Sequence, residues 1–282
     1  MTAPQNIIAL IFDFDDTLAD DSTTKLLDSV GVNTAKFWRE EMPPLTEAGW
    51  DPPLAYLHLM LRQTAPGMPL HGLTNAALRE FGSKLEFYPG IPDLFGDLEA
   101  LTREHKASRP AIEFYIVSGG LEEVIRGSRV AQYMTGIRGC RFAEQDDVIS
   151  HVMNSVSFTE KTRYIFEINK GFVDERSNPY NVNKAVADAD RRIPLQNMIY
   201  VGDGLTDVPC FSLISKNNGR AFGVFDPKKK DSPKKAWEGL VAPKRVSTMN
   251  SPRYGPDDDL GSLLRAAVKA ICLDLDVRTQ TT

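Results

Sequence analysis

The fold of this 282-residue chain is indicated by residues 7–18, which read IIALIF and then DFDDTL. An isoleucine-rich apolar run of this length is typical of a strand that is buried on both faces of a parallel sheet. The acids that follow lie at the carboxyl end of this strand, where open α/β sheets bind ligands. Side chains alternate along extended backbone, so Asp13 and Asp15 are expected to point to one side. Buried charge is costly unless it is paired or holds a metal, so the stretch predicts a metal and a substrate.

Two later segments repeat this pattern of an apolar strand followed by a polar turn. Residues 113–117 lead into Ser118-Gly119-Gly120, and residues 198–201 lead into the sequence GDGLTD, which contains Asp203 and Asp207. With these three motifs in order, the chain resembles the haloacid dehalogenase (HAD) superfamily. Within it, the chain resembles the phosphatases with a helical C1-type cap, a group that includes phosphoserine phosphatases. The resemblance spans roughly residues 7–211.

The acids fit phosphoryl transfer. A carboxylate can attack phosphorus and form an aspartyl-phosphate, but a cation must lie between the nucleophile and the dianionic phosphate. Asp203 and Asp13 would supply hard oxygen ligands for Mg²⁺. The resemblance implies that Asp13 is the nucleophile and that Asp15 gives its backbone carbonyl to the metal while its side chain acts as acid and base. Asp207 is interpreted as an acid that orients a metal-bound water or Asp203, with direct metal ligation as the alternative.

The acids after the first strand have a structural interpretation as well. Asp is favoured at helix N-caps, so Asp13, Asp15 and Asp16 could form such a cluster. Two further motifs would then be coincidental, which disfavours this interpretation for Asp13 and Asp15. For Asp16 and Thr17 the N-cap role stays open.

Ser118 offers a hydroxyl group, and the two glycines after it leave backbone N–H groups unobstructed. This combination is typical of an anion site where a helix starts, so Ser118 and Gly119 are predicted to bind a phosphate oxygen. The alternative, which is compatible, is that Ser118 caps a helix over residues 121–126. A nucleophilic Gly-x-Ser-x-Gly role is disfavoured because the flanking glycine that this motif needs before the serine is missing.

A lysine that neutralises the phosphoryl group is the fourth element that the resemblance implies. Lys161 is the first choice, because residues 155–158 are predicted as a strand, Thr159 as a cap and residues 162–169 as an amphipathic helix. Lys170 precedes Gly171 and favours a role at the helix C-terminus. Lys184 is predicted to open another short helix and is the runner-up.

The segment between the first acidic motif and residue 86 has helical character and is predicted to be the cap. Helices are expected over residues 24–29, 35–41, 54–63 and 75–84, with prolines at 43–44, 52–53 and 66 ending helices. The predicted domains are an α/β core of residues 1–18 and 87–282 and a cap of residues 19–86. Aromatic and basic cap residues that could select the substrate are Trp38, Arg39, Tyr56, His58 and Arg62.

The predicted fold is therefore a Rossmann-like, three-layer α/β core with a mostly parallel sheet and a small helical cap. A second insertion, residues 171–194, is predicted to be a loop with a turn at residues 178–181. Further along, a strand is expected at residues 221–225 and an amphipathic helix at residues 260–273. The apolar stripe of that helix consists of Leu260, Leu263, Leu264, Ala267 and Ile271.

Composition is normal for a globular protein, with 42% hydrophobic and 25% charged residues. The sequence shows neither a signal peptide nor an apolar stretch of membrane-spanning length, so a cytoplasmic location without membrane contact is expected. Three cysteines, Cys140, Cys210 and Cys272, are expected to be reduced packing residues. A net charge of −5 disfavours nucleic acid. The basic stretch at residues 228–230, with Lys234 and Lys235, is interpreted as a solvated loop.

Together these features predict a Mg²⁺-dependent phosphomonoester hydrolase that acts on a small soluble phosphate ester, with its oligomeric state left open. The alternatives are a phosphotransferase and an inactive binding protein of the same fold. A dehalogenase is disfavoured, since Asp15 would have no leaving alkoxide to protonate. Phosphoserine phosphatases carry a glutamate shortly after the first motif, where this chain has Asp20 and Asp21. Phosphoserine is therefore one candidate substrate among others.

Overall fold

The apolar run at the start of the chain forms the central strand of a sheet. The computed structural model describes residues 5–174, 178–228 and 232–280. The strands of these residues are β1 (Ile7–Phe12), β2 (Ala111–Leu121), β3 (Met134–Gln145), β4 (Val148–Asn154), β5 (Met198–Gly202), β6 (Arg220–Val224) and β7 (Thr248–Asn250). They form one sheet in the order β4-β3-β2-β1-β5-β6-β7. Each neighbouring pair is parallel except β3 and β4, so the prediction of a mostly parallel sheet is confirmed.

Helices connect the strands and cover both faces of the sheet. Their bounds are α1 (Ser22–Ser29), α2 (Thr34–Lys36), α3 (Met42–Glu47), α4 (Pro52–Arg62), α5 (Asn75–Gly82), α6 (Asp93–Arg103), α7 (Glu122–Gly127), α8 (Glu160–Lys170), α9 (Val208–Lys216), α10 (Ser232–Ala236) and α11 (Asp259–Gln280). A π-helical turn, Phe37–Glu41, joins α2 to α3, and a second one, Trp237–Val241, follows α10. None of the helices in the described part of the chain has the length and apolar character that a membrane span requires.

Aromatic contacts show which helices lie on which face of the sheet. Phe95 of α6 packs against Phe12 and Phe114, which lie on one face of β1 and β2. Phe211 of α9 packs against Tyr200 of β5, which lies beside Ile11 and therefore on the opposite face. The predicted three-layer arrangement is confirmed, with helices on either side of a buried sheet.

The strand register brings the ends of three strands to one edge of the sheet. Phe12 is the last residue of β1, and it pairs with Ile116 of β2 and with Val201 of β5. The N–H of Asp13 continues this ladder by donating to the Val201 carbonyl at 2.9 Å. The residues that directly follow these positions in β1, β2 and β5 are therefore neighbours in space.

The segment between β2 and α8 differs from the prediction. Residues 155–158, predicted as a strand, lie outside the strands, and the chain instead forms a hairpin of β3 and β4. Its turn contains Asp146 and Asp147, with φ angles of 53° and 60°. This geometry suits the right-handed twist of a hairpin, and Asp tolerates it because its short side chain bonds locally. The two consecutive aspartates are the sequence feature that could have indicated this turn.

Two proline pairs do not end helices as predicted. Pro43 and Pro44 lie in the first turn of α3, directly after the π-helical turn, and Pro52 and Pro53 open α4. A proline lacks an N–H, and the first turn of a helix is the one place where that donor is not needed. Asp51 caps α4 by accepting the Leu54 N–H at 3.3 Å. Pro66 does lie in a turn, after α4 has ended.

The predicted N-cap roles fall to other residues. Asp21 caps α1 by accepting the Thr24 N–H at 2.9 Å, whereas Asp16 has a φ angle of 56° and Thr17 is buried before this helix begins. Leu121 precedes α7 without a side-chain cap, because β2 continues through Ser118 to Leu121. The interpretation of Ser118 as a helix cap is therefore wrong, and its hydroxyl group is available for another role.

The rest of the chain is close to the prediction. The strand predicted at residues 221–225 is β6, and α11 is longer than predicted, with Leu260, Leu264, Ala267 and Ile271 buried. The loop of residues 171–194 contains short 3-10 turns, and the turn at residues 178–181 is the start of one of them. Its residues 175–177 lie outside the described residues. All three cysteines are buried and free of disulfides, as expected.

The basic stretch is described only in part. Lys228 is exposed and its N–H donates to Asp226, and Lys234 is exposed near Glu238. Lys229 and Lys230 lie outside the described residues. The described lysines are consistent with a solvated segment.

Candidate active site

A buried lysine forms the centre of the site. Lys161 lies in the first turn of α8, and its side chain is 1% exposed. Its Nζ donates to Asp13 Oδ2 at 2.8 Å and to Asp207 Oδ1 at 2.7 Å. Burial alone would lower the pKa of Lys161, but the charges of Asp13 and Asp207 outweigh this effect and raise it. The ammonium group is therefore held charged between two carboxylates.

Asp207 is fully buried and its carboxylate is held from several sides. Besides Lys161, its Oδ1 accepts the hydroxyl proton of Tyr200 at 2.7 Å, and its Oδ2 accepts the Gly204 N–H at 3.2 Å. Burial raises the pKa of Asp207, and Lys161 opposes that rise. Tyr200 was not predicted as a site residue. The sequence signal was a tyrosine inside a buried apolar strand, because a buried phenol hydroxyl needs a polar partner.

Asp203 completes a cluster of carboxylates. One carboxylate oxygen from each of Asp13, Asp203 and Asp207 lies within 4.8 Å of the other two. Loss of hydration raises the pKa of Asp203 well above its usual value, and the negative charges of Asp13 and Asp207 raise it further. Oxygen donors crowded in this way fit a hard divalent cation. Asp207 is fully buried and does not line the cleft, whereas Asp13 and Asp203 do, so these two side chains are better placed for direct ligation.

Asp15 lies beside Gly120 and lines the same cleft as Lys161. Its Oδ1 accepts the Ser22 N–H at 2.8 Å, which fixes the carboxyl group beside the start of α1. The pKa of Asp15 is raised to about 7. Burial is the largest cause, and the negative charge of Asp21 is the second largest. A carboxyl group with such a pKa exchanges its proton near neutral pH.

The segment Ser118-Gly119-Gly120 lies at the end of β2, beside Asp15. Ser118 is 1% exposed, and its Oγ accepts the Gly120 N–H at 3.1 Å. A Cβ atom on Gly120 would lie 2.4 Å from Asp15 Oδ2, so a larger residue there would displace the Asp15 carboxyl group. Ser118, Asp13, Asp15 and Asp203 line one cleft, whereas Asp207 is buried and does not line it.

The three candidate lysines have different surroundings. Lys170, at the end of α8, donates through its Nζ to the carbonyls of Val182 and Lys184, so it anchors the loop of residues 171–194. Lys184 follows a 3-10 turn instead of opening a helix, and its ammonium group lies 5.7 Å from the centre of the Phe172 ring. Lys161 is the candidate that the structure brings to Asp13.

Residues of the insertion between β1 and α6 form the outer wall of the cleft. Trp38 and Tyr56 line it, and their ring centres are 6.1 Å apart. Arg39, His58 and Arg62 are not among the lining residues, and His58 instead packs against Trp50 at 4.8 Å. The aromatic part of the predicted substrate-selecting set thus reaches the cleft, and the basic part does not.

Asp20 and Asp21 take different positions. Asp20 accepts hydrogen bonds from Lys25 and Tyr88, at 2.8 Å and 2.9 Å, and does not line the cleft. Asp21 lines it together with Thr23, while also capping α1. Asp16 and Thr206, which were not predicted as site residues, line the cleft as well.

The sheet and its helices define an α/β protein whose acidic cleft lies at the carboxyl edge of parallel strands. The family model for haloacid dehalogenase-like hydrolases matches residues 10–212. The chain belongs to this family, and the match includes the second half of β1, all of β2, α8 and β5, and Asp13, Asp15, Asp203 and Asp207. A protein of Borreliella burgdorferi, described as an uncharacterized protein, is 32% identical over an alignment of 266 residues, and the match covers 86% of this chain and 91% of the relative.

Solved structures show the same fold. A HAD family hydrolase from Salmonella enterica serovar Typhi superposes with a TM-score of 0.57 at 14% identity, covering 86% of this chain and 66% of that protein. A phosphoserine phosphatase, solved as an analogue of its phospho-aspartyl intermediate, superposes with a TM-score of 0.53 at 14% identity. That match covers 93% of this chain and 99% of the phosphatase. At this identity the likeness concerns the fold alone.

Proposed function

We propose that the protein is a Mg²⁺-dependent phosphomonoester hydrolase that works through an aspartyl-phosphate on Asp13. The observation that carries this proposal is the placement of the Lys161 ammonium group between Asp13 and Asp207, with Asp203 beside them and Ser118 in the same cleft. A nucleophilic carboxylate, a cation and an anion site are what phosphoryl transfer needs, because its catalysis is mostly positioning and charge neutralisation.

The donor set fits Mg²⁺. Asp13 and Asp203 would hold the ion, and the family resemblance implies that the Asp15 backbone carbonyl is a further ligand. Asp207 would orient Asp203 or a metal-bound water. When bound, Mg²⁺ neutralises charge on the phosphate oxygens. Asp207 keeps Lys161 in place through its 2.7 Å contact, so it supports the site even without touching the metal.

Asp13 is the proposed nucleophile. Its Oδ1 accepts the Phe14 N–H at 2.7 Å and its Oδ2 accepts from Lys161, so the carboxylate is fixed in the floor of the cleft. Attack by one of its oxygens forms the bond to phosphorus while the bond to the leaving alkoxide breaks. Water then attacks the phosphorus atom, which releases inorganic phosphate and restores the carboxylate.

Asp15 is the proposed acid and base. Its carboxyl group gives a proton to the leaving alkoxide in the first step and takes one from the attacking water in the second. The hydrogen bond from Ser22 N–H fixes the carboxyl group, which lines the same cleft as the proposed nucleophile. This role requires an oxygen leaving group, which supports a phosphate ester as the substrate.

Ser118, Gly119 and Lys161 are the proposed phosphate-binding residues. The Ser118 hydroxyl and the Gly119 backbone offer hydrogen bonds, and Lys161 offers positive charge in the same cleft. The insertion of residues 19–86 is the proposed cap, which excludes water from the reacting groups through Trp38 and Tyr56.

The wall of the cleft supports a small, uncharged or cationic alcohol as the leaving group. Among the described residues that line the cleft, Lys161 is the one cation, and its ammonium group already contacts two carboxylates. Asp16, Asp21 and the two aromatic rings line the remaining wall. A second anionic group on the substrate would meet like charge, so phosphate esters without one are expected to be preferred.

The test is phosphate release from an aryl phosphate and a panel of metabolite phosphates, measured with Mg²⁺ and with EDTA. The expected result is release that requires Mg²⁺ and that is fastest for esters without a second anionic group. Equal release in EDTA would remove the proposed metal role. Absence of release from every ester would contradict the proposed hydrolase.

A further inference from the structure

A carbonyl oxygen next to the phosphate-binding serine has two donors that the proposed chemistry does not use. The Gly119 carbonyl accepts the Tyr56 hydroxyl proton at 2.8 Å and the Cys140 thiol proton at 3.2 Å. Tyr56 lies on α4, in the insertion, and Cys140 lies on β3 of the sheet. Both lone pairs of this carbonyl are therefore held, one from each part of the fold.

The two donors are themselves fixed. Tyr56 is 7% exposed and packs beside Trp38, while Cys140 is 1% exposed and its sulfur accepts the Val156 N–H at 3.3 Å. Burial raises the pKa of the Cys140 thiol to about 11 and raises the pKa of the Tyr56 hydroxyl well above its usual value. Both groups keep their protons at neutral pH and remain donors.

Holding the Gly119 carbonyl also sets the direction of the next N–H. A trans peptide is planar, so its C=O and N–H point in opposite directions. The Gly119 carbonyl points to Tyr56 and Cys140, and the Gly120 N–H accordingly points to the Ser118 Oγ, at 3.1 Å. Since Ser118 Oγ accepts this bond, its own proton remains for donation to another acceptor. A chain of hydrogen bonds thus runs from Tyr56 and Cys140 to Ser118.

We propose that Tyr56 and Cys140 are positioning residues that fix the Gly119–Gly120 peptide, so that Ser118 presents its hydroxyl proton to a phosphate oxygen. This inference rests on the proposed function, because it assumes that Ser118 binds phosphate. Since Tyr56 belongs to α4, the arrangement makes the phosphate site depend on how α4 is docked.

The test compares Tyr56→Phe with Tyr88→Phe. Each change removes one tyrosine hydroxyl that bridges distant parts of the chain, but Tyr88 donates to Asp20 at 2.9 Å and not to Gly119. Binding of inorganic orthovanadate in Mg²⁺ is measured by calorimetry, and kcat and KM are measured with an aryl phosphate. We expect Tyr56→Phe to weaken orthovanadate binding and to lower kcat/KM by about tenfold, the loss of one hydrogen bond, while Tyr88→Phe stays within about twofold.

A double-mutant cycle shows whether Tyr56 acts through Ser118. In a Ser118→Ala background, Tyr56→Phe is expected to weaken orthovanadate binding by less than about twofold, since the residue that it positions is gone. An equal loss in both backgrounds would overturn the proposal, as would wild-type binding in Tyr56→Phe or an equal loss in Tyr88→Phe.

A measurement without substrate separates this proposal from the proposed function. With ¹⁵N-glycine labelling, the Gly120 amide signal is expected to shift and to exchange its proton faster in Tyr56→Phe but not in Tyr88→Phe. An unchanged signal would overturn the proposed positioning. If the wild-type protein releases no phosphate from any ester, the proposed hydrolase fails, while this measurement still decides whether Tyr56 orients the peptide.

Discussion

Asp13 is the residue whose replacement should separate catalysis from folding. Asp13→Asn keeps the shape of the side chain and removes the charge that attacks phosphorus. We expect turnover to fall by at least ~10³-fold, as for other nucleophiles, with the melting temperature changed little. The measurement is phosphate release beside thermal unfolding. Substantial residual hydrolysis in a folded variant would remove Asp13 as the nucleophile.

Lys161 should matter for both stability and activity. Lys161→Met leaves Asp13 and Asp207 buried without their cation, so the free energy of unfolding is expected to fall by about 3 kcal/mol, and activity should be lost. Lys170→Met is the matched control on the same helix, since its ammonium group donates to two loop carbonyls. Activity loss in Lys170→Met that equals the loss in Lys161→Met would contradict the assignment.

The pH dependence of the Lys161→Met variant gives an independent check. Burial raises the pKa of Asp207, and this variant loses the lysine that opposes the rise. An acid with a raised pKa in the folded state stabilises the fold at low pH and loses that contribution as pH rises. The destabilisation should therefore be smaller near about pH 5 than near about pH 8, by chemical denaturation. The opposite trend would contradict this charge arrangement.

At the scale of elements, α5 and α7 approach each other closely at two glycines. A Cβ atom on Gly82 would lie 2.0 Å from the Val124 carbonyl oxygen, and one on Gly127 would lie 2.0 Å from that of Arg79. Gly82→Ala and Gly127→Ala are each expected to lower the free energy of unfolding by about 2 kcal/mol or more. Gly96 of α6 has open space, so Gly96→Ala should stabilise by about 0.5–1 kcal/mol. Denaturant unfolding of the three variants decides, and equal stabilities would contradict this packing.

The elements also show what the sequence could and could not predict. The apolar run of β1 was sufficient to predict a buried strand and its acidic end, because the pattern is local. The β3–β4 hairpin was missed, since Asp146 and Asp147 form its turn without the Asn-Gly pair that usually marks one. The bond from Tyr56 to Gly119 joins residues 63 positions apart. Such contacts depend on the folded arrangement and leave no spacing pattern in the sequence.

At the scale of the whole molecule, α11 is joined to the loop before β2 by one carboxylate. Asp276 Oδ1 accepts the N–H and the hydroxyl proton of Ser108, at 2.9 Å and 2.6 Å, and Oδ2 contacts His105 Nδ1 at 2.6 Å. These contacts lower the pKa of Asp276 to about 2, and the hydrogen bond from the Ser108 hydroxyl has the largest effect. The carboxylate therefore stabilises the fold above its ordinary pKa of about 4, and the contribution is lost as pH falls toward about 2.

Asp276→Asn should accordingly lower the melting temperature at neutral pH. The difference from the wild-type protein should narrow as pH falls below about 4. Asp274→Asn is the control on the same helix, because Asp274 is 69% exposed and lies 3.9 Å from Arg220. A difference that stays constant with pH would show that the ionised carboxylate does not hold α11 in place.

The proposed reaction requires a phosphoryl group that is covalently bound to Asp13, and this intermediate can be trapped. The protein is mixed with a ³²P-labelled aryl phosphate and Mg²⁺, quenched in acid within the first turnover and digested for mass spectrometry. We expect acid-stable label on the peptide that contains Asp13. No label is expected when EDTA replaces Mg²⁺ or when the Asp13→Asn variant is used. Phosphate release by the wild-type protein with no label on that peptide, or with label on another residue, would contradict the proposed reaction.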